Sequence, residues 1–116
     1  MKLSRIIELL DAEVLCGHAG GDVEIASAFG SDMMSDVLAF EVENTLLLTG
    51  LVNQHVIRTA ELLDVGCILF VRGKAVPQEI VQQAKDAGIC LLRTDKTLYV
   101  SCGILYNAGL PGCSRR

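Results

Sequence analysis

Three short polar corners hold the residues of this chain with the clearest chemical potential: Thr49-Gly50-Leu51-Val52-Asn53, Arg72-Gly73-Lys74 and Thr94-Asp95-Lys96-Thr97. Each follows an apolar run and precedes an amphipathic segment. Hydroxyls, an amide, basic side chains and the free N–H groups of helix starts are the groups that hold a phosphate or a carboxylate. The spaced glycines of a P-loop or a dinucleotide fingerprint are missing, so nucleotide-hydrolysing machinery is not indicated. The expected ligand-binding set is Thr49, Gly50, Asn53, Arg72, Gly73, Lys74, Thr94 and Asp95, with Ser31 and Asp32 added from an upstream segment.

That upstream segment, Ser31-Asp32-Met33-Met34-Ser35-Asp36, carries two Ser-Asp pairs four residues apart. On a helix they would share a face. Ser and Asp also start helices, so capping is one reading. Contact with a ligand or partner is the other, because neighbouring carboxylates repel unless something uses them. No nucleophile, base and orienting group stand together, so no catalytic residue is expected, and an enzyme using Asp32, Asp36 and Lys74 is the weaker alternative. His18, in a glycine-rich turn, and His55, at a helix start, read as solvated. The five cysteines include no two within four residues of each other, which excludes the paired ligands of a metal knuckle. Cys67 and Cys90 each begin an apolar run and read as small core groups. Cys113 reads as exposed and the most readily oxidised. Neither a metal nor a cofactor is expected.

The elements that position the corners come from one unit written three times between residues 45 and 109. Each copy is an apolar run, a corner, an amphipathic segment and a closing glycine; Gly66, Gly88 and Gly109 recur at intervals of 22 and 21 residues. These glycines fit left-handed helix caps. Alternating strand and helix patterns, joined by right-handed crossovers, place successive strands side by side in a parallel sheet. Before the repeats, Ser4 is a candidate cap for a helix reaching Leu10. A short strand at 13–16 and an alternating stretch at 23–29 then suggest a hairpin-like pair. The expected fold is α/β: a mainly parallel sheet of three consecutive strand-helix units, preceded by an N-terminal helix and the hairpin-like segment. Residues 1–110 form a single domain and residues 111–116 a flexible polar tail. In the second helix Pro77 takes the first helical position.

Composition narrows the function. Hydrophobic residues make up 51% and aromatic residues 4%, so the core must be aliphatic. A net charge of −4 and the lack of tryptophan argue against binding nucleic acid, which needs clustered cations and stacking platforms. No signal-like or membrane-spanning apolar run is present, so no membrane association is expected and the cytoplasm is the expected location.

From Phe29-Gly30-Ser31-Asp32, through the repeated units, to Ile104-Leu105-Tyr106-Asn107-Ala108-Gly109-Leu110, the chain resembles the DRTGG domain family. The family's Asp-Arg position falls near Thr49-Gly50-Leu51 and its Thr-Gly-Gly position at Val71-Arg72-Gly73, where Gly73 is retained. The resemblance implies an α/β fold similar to the N-terminal domain of HPr kinase/phosphorylase and, more remotely, to that of Mur ligases. DRTGG domains accompany phosphotransacetylases and CBS-containing pyrophosphatases as regulatory or dimer-forming modules, and stand-alone relatives neighbour hydrogenase and related redox genes. It thus implies a non-catalytic regulatory domain, without kinase activity because the P-loop domain is absent. The expected partners are a second copy of the chain and a nucleotide or phosphorylated metabolite at the strand ends. The alternative is an adaptor for a redox or hydrogenase-associated protein with no small-molecule ligand. The apolar third helix and open sheet edges favour the homodimer.

Overall fold

The computed structural model describes residues 1–17 and 22–116. Ten elements follow in order: α1 (Leu3–Leu10), β1 (Glu13–Cys16), β2 (Ser27–Gly30), α2 (Met34–Val37), β3 (Thr45–Thr49), α3 (Gln54–Leu62), β4 (Cys67–Phe70), α4 (Gln78–Asp86), β5 (Cys90–Arg93) and α5 (Leu98–Asn107). The strands form one five-stranded sheet in the order β1-β5-β4-β3-β2. The pairs from β2 to β5 are parallel, and β1 joins β5 antiparallel. The α/β architecture expected from the repeats is therefore present.

β3 and β4 are buried along their whole length because helices cover both faces of the sheet. Alternate side chains divide the core. Leu47, Ile68, Phe70 and Leu91 pack with Val56, Ile57 and Ala60 of α3 and Ile80 and Ala84 of α4. Leu46, Leu48, Leu69 and Leu92 pack on the other side with Leu3, Ile6 and Leu10 of α1 and Leu105 of α5. The aliphatic runs thus become a three-layer α/β/α sandwich. Burying each large side chain contributes about 1.5–3 kcal/mol.

The hairpin-like pair does not form, since β1 and β2 occupy opposite edges of the sheet. Residues 23–25 instead bond back to the N-terminus: the Leu3 N–H donates to the Val23 carbonyl and the Ile25 N–H to that of Met1. The strand in this stretch is confined to Ser27–Gly30. Ser4 is not a cap but lies inside α1, where its N–H and hydroxyl both donate to Asp22. The Ser4 hydroxyl bond, followed by the N–H bond, holds the Asp22 carboxyl below its ordinary range. Gly88 and Gly109 adopt positive φ as expected, but in the first repeat that conformation falls to Asp64 (φ 61°) rather than Gly66. Asp tolerates it better than most residues with a Cβ. Pro77 is the N-cap of α4 rather than its first helical residue.

Residues 111–116, expected to form a flexible tail, lie along the outer edge of β2. The Ala28 N–H donates to the Pro111 carbonyl, Glu41 N–H to that of Ser114, and Arg116 N–H to that of Ala39. This strap half-buries Cys113, whose thiol lies 3.4 Å from Ser27 Oγ and 3.5 Å from Thr45 Oγ1, so the expected exposure of that cysteine is not found.

Candidate functional site

Parallel strands end together, and their corners meet at the carboxyl edge of the sheet. β3 leaves the sheet at Thr49 and turns through the buried Gly50. β4 continues to Val71, whose N–H donates to the Thr49 carbonyl, and then reverses through Arg72 (φ 66°) and Gly73 (φ 62°). The Gly73 N–H donates to the Thr94 carbonyl and the Arg72 N–H to that of Lys96, so the second corner is folded onto the third. A Cβ on Gly73 would come within 2.8 Å of Asp95 Oδ1, which leaves glycine as the residue that fits.

The side chains converge on Gly50. Lys74 Nζ donates to its carbonyl at 2.6 Å and an Arg72 guanidinium nitrogen at 3.5 Å. The guanidinium lies so close to the Gly50 backbone that any Cβ there would collide with it. From the other side, Asp32 Oδ1 accepts from the Gly50 N–H at 2.7 Å and from Thr49 Oγ1 at 3.1 Å. The second Asp32 oxygen lies 3.9 Å from Arg72, with both side chains about half exposed. A pair that wet contributes no more than about 1 kcal/mol, so Arg72 remains available to a stronger anion. The result is a carboxylate cradled by a backbone N–H and a hydroxyl, flanked by two cations at one exposed corner.

Asp32, Thr49, Gly50, Arg72, Gly73, Lys74 and Asp95 thus meet at the strand ends. Three members of the expected set point elsewhere. Thr94 is buried and its hydroxyl donates to the Leu10 carbonyl at 2.7 Å, tying β5 to the end of α1. Asn53 Oδ1 accepts from the Val56 N–H and caps α3. Ser31 Oγ closes a turn on Met33, accepting from its N–H and donating to its carbonyl. Asp36 and His55 are exposed on α2 and α3, while His18 lies outside the described residues. Among the described residues, no group of three His, Cys, Asp or Glu could hold a metal ion, and no helix is long and apolar enough to cross a membrane.

A second concavity runs along α5. This open groove of about 580 Å³ lies between α5, the end of β2 and the start of the strap, lined by Gly30, Tyr99, Cys102, Tyr106 and Leu110. A Cβ on Gly30 would lie 2.7 Å from Cys102 Sγ, so glycine lets the helix approach the strand. Tyr99 and Tyr106 are 89% and 75% exposed, and Val100 is exposed beside them. The sequence signal for the groove was an α5 without charge, whose residues show no polar stripe to mark a solvent face.

No family model matches this chain, and no curated protein does. Among solved structures, the chain is similar to the crystal structure of the CBS and DRTGG domains of the regulatory region of Clostridium perfringens pyrophosphatase, complexed with its activator diadenosine tetraphosphate. The TM-score is 0.74 at 17% identity, over 97% of this chain and 50% of the other. This chain therefore spans half the length of that structure and shares its fold.

Proposed function

We propose that the chain is a non-catalytic regulatory domain of DRTGG type, which senses a small anionic metabolite or nucleotide at the carboxyl ends of its strands and works as a cytoplasmic homodimer. The observation that carries this reading is the convergence of Arg72 and Lys74 on the Gly50 corner. There the missing side chain lets the Arg72 guanidinium lie against the backbone, and Asp32 already occupies donors suited to an anion. An entering phosphate would compete with Asp32 for the Gly50 N–H and the Thr49 hydroxyl and recruit both cations. The fold shared with part of a pyrophosphatase regulatory region makes diadenosine tetraphosphate and adenine nucleotides the first ligands to try.

Thermal unfolding of the reduced protein against these nucleotides, nicotinamide dinucleotides, acyl phosphates and phosphosugars tests the proposal. A ligand at about 100 times its Kd adds about 2.7 kcal/mol, a shift of several degrees in a small domain. Arg72→Ala combined with Lys74→Ala should abolish that shift. A panel without any saturable shift refutes the sensor reading. The alternative is an adaptor for a redox or metabolic enzyme, favoured by the apolar groove along α5. Its partner binding would survive the double substitution.

A further inference from the structure

β4 and β5 run parallel and in register, which sets Cys67 directly beside Cys90. Both side chains enter the core on the α1 and α5 side of the sheet. Neighbouring strands lie about 4.8 Å apart, inside the Cα separation of about 4.4–6.8 Å that a disulfide spans. The other cysteines are placed differently: Cys16 packs on the opposite face, Cys102 lies on α5, and Cys113 belongs to the strap. Cys16 on β1 also neighbours β5 but from the opposite face, so Cys67 and Cys90 are the thiols that share both adjacent strands and one face of the sheet.

The pair is also reachable. Cys67 and Cys90 line one cavity of about 130 Å³ at the amino ends of the strands, together with Leu3 and Thr45 and the exposed Glu24, Asn44 and Asp64 at its rim. That volume admits water-sized molecules. A thiol tripeptide is far too large to enter. The two sulfurs are unequal: the neighbouring Cys67 thiol holds Cys90 below the ordinary thiol range. Its Cys90 neighbour, with burial, pushes Cys67 well above it. The thiolate is the nucleophile in such a pair, so Cys90 is the attacking sulfur.

We propose that Cys67 and Cys90 form a reversible dithiol site that a small hydroperoxide converts into a disulfide within the sheet. Cys90 sulfur attacks one peroxide oxygen, the O–O bond breaks, and the departing oxygen leaves as water carrying the Cys90 proton. Cys90 is then a sulfenic acid. Cys67 sulfur attacks Cys90 sulfur, the S–O bond breaks, and hydroxide leaves as water with the Cys67 proton. Two thiols lose two electrons in all, and hydrogen peroxide is reduced to two waters. A dithiol reductant, too large for the cavity, reverses the change by exchange once the chain opens enough to expose the two sulfurs. The site lies at the end of the sheet opposite the Gly50 corner and does not depend on the sensor reading.

The test exposes the full-length reduced protein to hydrogen peroxide, alkylates the remaining thiols, and maps tryptic peptides by mass spectrometry. The expected product is peptide 59–72 joined to peptide 86–93, two hydrogens lighter than their sum, and broken by dithiothreitol. The thiol count after denaturation falls from five to three. Cys16→Ser keeps the link, and Cys67→Ser leaves a Cys90 sulfenic acid that dimedone traps. Alkylation of both Cys67 and Cys90 after peroxide treatment overturns the proposal, as does oxidation of either to a sulfinic or sulfonic acid without the link.

Discussion

On one face of the sheet, α3 and α4 bury Val56, Ile57, Ala60, Ile80 and Ala84 and turn Arg58, Glu61, Gln82, Lys85 and Asp86 to solvent. On the other face, α5 buries Ser101 and Leu105 yet leaves Tyr99, Val100 and Tyr106 outside. α3, α4 and α5 all come from the same strand-helix repeat, so the repeat does not explain the difference. A helix with a polar face is finished once it packs on the sheet, whereas an apolar helix still has surface to cover. The first face leaves one large apolar side chain exposed, Leu62, whereas α5 leaves three, Tyr99, Val100 and Tyr106.

Substitutions should separate the two faces, the largest effect falling on the finished one. Phe70 is fully buried beneath α3 and α4, and Phe70→Ala should cost about 3–5 kcal/mol in urea unfolding, independent of protein concentration. Val100→Glu or Tyr106→Glu on α5 should leave monomer stability within about 0.5 kcal/mol, as for other surface changes. The same variants should weaken the proposed dimer by at least about tenfold, or 1.4 kcal/mol, in sedimentation equilibrium. A wild-type chain that stays monomeric at micromolar concentration would remove the functional half of the comparison. Asn53→Ala deletes the cap of α3 and should cost about 1 kcal/mol by thermal unfolding. The smallest effect is expected at Ser101. Its hydroxyl is buried under α5 and finds no partner among the described residues, so Ser101→Ala should be neutral or slightly stabilising.

The same contrast explains which parts of the fold are legible in the sequence. Leu46-Leu47-Leu48, Cys67-Ile68-Leu69-Phe70 and Cys90-Leu91-Leu92 are continuous apolar runs because both their faces are buried, and their regular spacing announces parallel order. β1 and β2 are four residues long; β2 pairs with the next strand, β3, but β1 passes over three strands to pair with β5, a choice set by tertiary packing. Local alternation cannot reveal that choice. At the candidate site, the corner positions follow from strand-end geometry, and Asp32, Gly50, Arg72 and Lys74 meet there. Thr94 departs from the expected set because its hydroxyl answers the last turn of α1, distant in sequence. Cys67 and Cys90 look unrelated by spacing, yet each begins a strand in consecutive repeats, and parallel register makes them neighbours. The strap was unreadable because Pro111-Gly112-Cys113-Ser114 owes its course to backbone bonds with β2 and the turn after α2, not to any periodicity of its own.

That strap has a consequence for how the chain behaves in a crowded solution. β2 is an outer strand, and an outer strand offers its unpaired amides and carbonyls as a template to any extended segment it meets. The bond from Ala28 to Pro111 and the bridge between Ala28 and Gly112 occupy that template within the molecule. Pro111 has no N–H to offer, and charged Arg115 and Arg116 follow. Residues 111–116 thus cover this edge at Ala28, and clipping them by a protease would reopen it to strand-by-strand pairing.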